Sequence, residues 1–71
     1  MSELCSEMLK IKAGVLIDKS SRGIDSGVAP SPFYIDEMST VASGLIELGF
    51  HVEAGRVDRA LFDWCELLLD A

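Results

Sequence analysis

His51 is the chain's one histidine, and the first place to look for acid–base chemistry. A general base needs a nucleophile or an acid within reach, and no neighbouring pattern supplies one. His51 therefore reads as a loop histidine at the end of an element. Cys5 and Cys65 stand far apart in the chain, and neither lies at metal-ligand spacing from the other or from His51. Both read as reduced thiols, with Cys65 beside Trp64 where a core thiol would sit. Asp36 and Glu37 are adjacent. On a helix their side chains diverge, so they suit the positive end of a helix dipole better than a carboxylate pair. "RGIDSG" (22–27) has two glycines but no Lys-Ser/Thr after them, so it forms no phosphate loop. No enzyme, metal site or cofactor is expected.

The remaining signal is apolar periodicity. Leu4, Met8, Ile11 and Val15 step by four, three and four, one stripe of a helix over about residues 2–18. Ser2 suits its cap and Glu3 its dipole. Cys5, Leu9, Ala13 and Leu16 widen the apolar arc to about 200°, more than a one-sided surface helix needs. This helix should touch neighbours on two sides, one in its own chain and one in another. Lys12 falls inside the arc and should snorkel to its edge. Residues 19–31, rich in Ser, Gly, Asp and Pro, read as a connector, with Ile24 and Val28 plugging the end of the bundle.

Ser31 then suits an N-cap, with Pro32 at the first helical position. Tyr34, Met38, Val41, Leu45 and Leu48 form a heptad seam on a helix over 32–48, and Gly49 is placed to end it. A third stripe, Val57, Leu61, Trp64 and Leu68, predicts a helix over about 53–70, either separate from the second or a bent extension of it. Phe62, Leu67 and Leu69 lie off that seam. The expected fold is all-α: two to three amphipathic helices in a hairpin-like bundle, one domain over 1–71, completed by dimerisation. Leu4, Met8, Ile11, Val15, Met38, Val41, Leu45, Leu61, Trp64 and Leu68 are the predicted core and dimer residues.

Composition points to the same assembly. Seventy-one residues bury only about 60% of the surface their unfolded chain exposes. Yet 49% of the residues are hydrophobic, and burial against a second copy or another protein resolves that surplus. The net charge of −6 is uneven. Residues 1–31 hold four acids (Glu3, Glu7, Asp18, Asp25) against four bases (Lys10, Lys12, Lys19, Arg22). Residues 32–71 hold eight acids against only Arg56 and Arg59. Such a surface repels phosphate, so neither nucleic acid nor an anionic membrane is an expected partner. "MSELCSEMLK" has no targeting character, and no apolar run approaches the roughly 20 residues that span a bilayer. The expected location is the cytoplasm.

"GIDSG" (23–27) is similar to the Gly-x-Asp-Ser-Leu attachment motif of acyl carrier proteins, with Gly27 in the leucine's place. That resemblance implies a small carrier protein modified at Ser26. In length, acidity and helix–loop–helix outline, the whole chain resembles small phage-encoded proteins that block bacterial regulators, including anti-activators of quorum sensing. That resemblance implies a compact helical homodimer that inhibits a host protein such as a transcriptional regulator. The residues favour a non-enzymatic protein-binding module. Phe33, Tyr34, Phe50 and Phe62 are its candidate aromatic anchors, Arg59 a polar contact and Glu37 part of an acidic rim.

Overall fold

The computed structural model describes residues 3–69, with side chains from Cys5 onward. Three α-helices run α1 (Glu3–Ser26), α2 (Pro32–Glu47) and α3 (His51–Leu69), all packed on one another. Leu9 lies against Gly44, and Lys19 reaches over the Tyr34 ring, so α1 and α2 are antiparallel. Lys10 sits over Phe50 and Gly23 under Trp64, so α3 runs parallel to α1. The result is an all-α, up–down–up bundle, 42 × 19 × 16 Å.

Two helix ends share one device. Gly27 has φ +70°, donates to the carbonyl of Ile24, and lets Val28 N–H reach the carbonyl of Gly23. Gly49 has φ +88°, donates to Ile46, and lets Phe50 N–H reach Leu45. Each pair of bonds satisfies the last carbonyls of its helix and reverses the chain, and the left-handed glycine makes it inexpensive. At the start of α2, Ser31 is the N-cap and Pro32 follows it, but the Ser31 hydroxyl makes no capping bond.

At 24 residues, α1 is about two fifths longer than the helix its apolar stripe predicts. The connector predicted over 19–31 is helical through Ser26 and only 27–31 link the helices. The polar residues of 18–22 are good enough helix formers, and Asp18 pairs with Arg22 one turn on at 2.9 Å. Gly23, which looks like a breaker, is the contact point for the Trp64 ring. Ile24 and Val28 do not plug the bundle end, because both are exposed. Trp64 closes it instead: buried, it donates from Nε1 to the Val28 carbonyl at 2.6 Å and pins the connector. The third helix is separate from the second and begins at His51, directly after the Gly49 reversal.

The core is Ala13, Leu16, Met38, Val41, Ala42, Leu45, Ala54, Val57 and Trp64. Leu9, Ile17, Tyr34, Phe50, Ala60, Leu61 and Leu67 pack against it, partly buried. Among the predicted core residues, Met38, Val41, Leu45 and Trp64 point inward as their seams require. Leu68 does not, being exposed near the end of α3, and neither does Leu48 beyond α2. The side chain of Leu4 lies outside the described residues.

Candidate functional site

Of the residues predicted for the core and the dimer contact, those described on α1 lie outside the chain's own core. Met8, Ile11 and Val15 are 62%, 65% and 62% exposed. The face that packs on α2 and α3 is instead Leu9, Ala13, Leu16, Ser20 and Gly23, which steps four, three, four, three. At 100° per residue the two stripes lie about 130° apart on one helix. The inner stripe carries smaller side chains, which let α1 approach closely. A Cβ on Gly23 would lie 2.6 and 2.8 Å from Cε2 and Cζ2 of Trp64. Buried Ser20 satisfies its hydroxyl on the carbonyl of Ile17, at 2.7 Å.

Among the described residues, none gives the outer stripe such cover. Met8, Ile11, Val15, the edge of Leu9 and the stem of Lys12 line an open groove of about 560 Å³. Water facing that groove gains little, because nearly every lining atom is carbon. Charge borders it on both sides. Exposed Glu7 and Asp18 flank one edge, while Lys12 and Lys19 flank the other, about 50–70° from the stripe at 100° per residue. Lys12 also bridges to Glu37 on α2 at 2.8 Å. Along the helix, the Asp18–Arg22 pair ends the apolar run after Val15.

The predicted partner-binding residues are scattered. Phe33 is 63% exposed at the start of α2, edge-on to Tyr34 with ring centroids 5.3 Å apart. Tyr34 is partly buried and passes the contact to Trp64 at 5.6 Å, so its ring joins the core. Phe62 is 68% exposed on the outer face of α3. Phe50 lies at the opposite end, packed on the core with Lys10 4.1 Å above its ring. Glu37 is held by Lys12, and Arg59 by Asp63 at 3.5 Å. Arg56 and Arg59 border a second groove, floored by Ile17, Val52 and Ala60.

Ser26 is the exposed last residue of α1, and α2 begins only at Pro32. Cys5 and Cys65 are free thiols. Among the described residues, no group of His, Cys, Asp and Glu side chains could hold a metal ion, and no helix is long and apolar enough to cross a membrane.

Sequence reasoning missed Ser20 and Gly23, which carry the inner face of α1 toward its C-terminus. Their signal was present, since they extend the Leu9–Ala13–Leu16 spacing by four and three. A serine and a glycine do not register as a hydrophobic stripe, so the larger side chains on the opposite face dominated the pattern. Comparison of the chain with protein-family models, with curated proteins and with solved structures gave no match.

Proposed function

We propose that this chain is a non-enzymatic, cytoplasmic protein-binding module, a homodimer that docks on another protein and modulates it in the manner of an inhibitor or anti-activator. The observation that carries the reading is the amount of large apolar surface outside the three-helix core. Met8, Ile11 and Val15 form one continuous strip, and Phe33 and Phe62 stand more than half exposed on other helices. Isolated exposed apolar residues are ordinary, but a contiguous strip on so small a chain marks a surface meant to be covered. Exposed phenylalanines are among the side chains that anchor interfaces when a partner desolvates them.

A tagged chain and its Phe33→Asp/Phe62→Asp variant, matched for helical content by circular dichroism, are compared as baits in lysate of the natural host. The expected result is a partner retained by the wild type and lost from the variant. Equal recovery by both baits, or none by either, contradicts the reading.

A further inference from the structure

We infer that the outer stripe of α1 is the seat of a second copy of this chain, packed helix to helix in parallel about a two-fold axis. This deepens the proposed function and rests on its reading of the chain as self-associating.

Charge selects the occupant. α2 and α3 belong to the segment 32–71, where eight acids face two arginines, so a copy meeting α2, or α3 away from Arg56 and Arg59, brings like charge to like. Residues 1–31 carry four acids and four bases. The face of α1 is thus where two chains of net charge −6 can meet with the least repulsion, their acidic halves turned away from the contact.

The bordering charges select the orientation. An antiparallel two-fold would set the Glu7–Asp18 edge against itself and the Lys12–Lys19 edge against itself. A parallel two-fold sets the acidic edge at Glu7 against the partner's basic edge at Lys12, while Asp18, three residues past Val15, falls at the end of the seam. Glu7 then faces the Lys12 of the second copy five positions along, the offset that joins flanking positions of paired parallel helices. Lys12, already 2.8 Å from Glu37, would lie between two carboxylates, one from each protomer. Met8, Ile11 and Val15 would meet their counterparts in three successive layers, and the Asp18–Arg22 pair would end the seam. Such a contact is short, so the dimer should dissociate on dilution.

Sedimentation velocity over about 5–500 μM tests the inference. The wild type should approach twice its 7.7 kDa at the upper end. Ile11→Asp should keep wild-type helicity and dimerise at least tenfold more weakly, while Val52→Asp, on exposed α3 surface, should dimerise as the wild type does. In a Cys5→Ser background, Val15→Cys should form an interchain disulfide on mild oxidation, absent from Cys5→Ser alone. A wild type that stays monomeric throughout overturns the inference, as does undiminished dimerisation of Ile11→Asp. A dimer in which Val15→Cys does not cross-link overturns the parallel arrangement. Should Ile11→Asp lose its helix, the wild-type mass and the cross-link still decide. A monomer that captures its partner through Phe33 and Phe62 sinks this inference and the homodimer of the proposed function but leaves the docking reading standing; a cross-linked dimer that captures nothing sinks only the docking reading.

Discussion

The two faces of α1 repeat the same spacing and meet different fates. Leu9, Ala13, Leu16, Ser20 and Gly23 turn inward; Met8, Ile11 and Val15 turn to solvent. The inward face is the less hydrophobic of the two. Packing at the crossing of α1 and α3 rewards small side chains, because the Trp64 ring comes so close to Gly23 that a Cβ there would clash with it. The outward face carries Met8 and the β-branched Ile11 and Val15, which this chain leaves unburied. Periodicity shows that a helix has an apolar face; side-chain size shows which face its own chain can take.

The comparison is sharpest where Trp64 meets Gly23. Trp64→Ala should cost about 3–5 kcal/mol, since it empties a core site and strips the Val28 carbonyl of its donor. Urea unfolding followed by circular dichroism would register this as a largely unfolded chain at room temperature. Gly23→Ala should cost about 1–3 kcal/mol through the clash with Trp64, although alanine is the better helix former. Gly14→Ala should do the opposite, stabilising by about 0.5–1 kcal/mol, because nothing lies within 4 Å of the added methyl. If the two glycine substitutions shift the urea midpoint in the same direction, the assignment of inner and outer faces fails. Lys12→Ala, which removes a half-exposed pair with Glu37, should change stability by about 0.2–1 kcal/mol and lose that effect at high salt.

Much of the fold was legible. The Met38–Val41–Leu45 and Val57–Trp64 spacings located the inner faces of α2 and α3, and Gly49 marked the reversal between them. The stop of α1 was not legible, because Ser, Asp and Gly between 18 and 27 read alike as connector or as polar helix. What separates the two is a tertiary contact, Trp64 on Gly23, which the local spacing of Ser20 and Gly23 allows but does not name. Phe33 and Phe62 stood out as aromatics off the seams, but Tyr34 and Phe50 did not follow them to the surface. Tyr34 stacks toward Trp64, and Phe50 closes the far end beneath Lys10.

Val15 and Leu16 are neighbours in sequence that this account sends to different chains. Single cysteines at each, in a Cys5→Ser/Cys65→Ser background, allow thiol-labelling rates to be followed as protein concentration rises. The account predicts rapid labelling at Val15→Cys in dilute solution that slows as copies associate, and slow labelling at Leu16→Cys at every concentration. A Val15→Cys rate that ignores concentration, or a Leu16→Cys rate that matches it, would contradict the account.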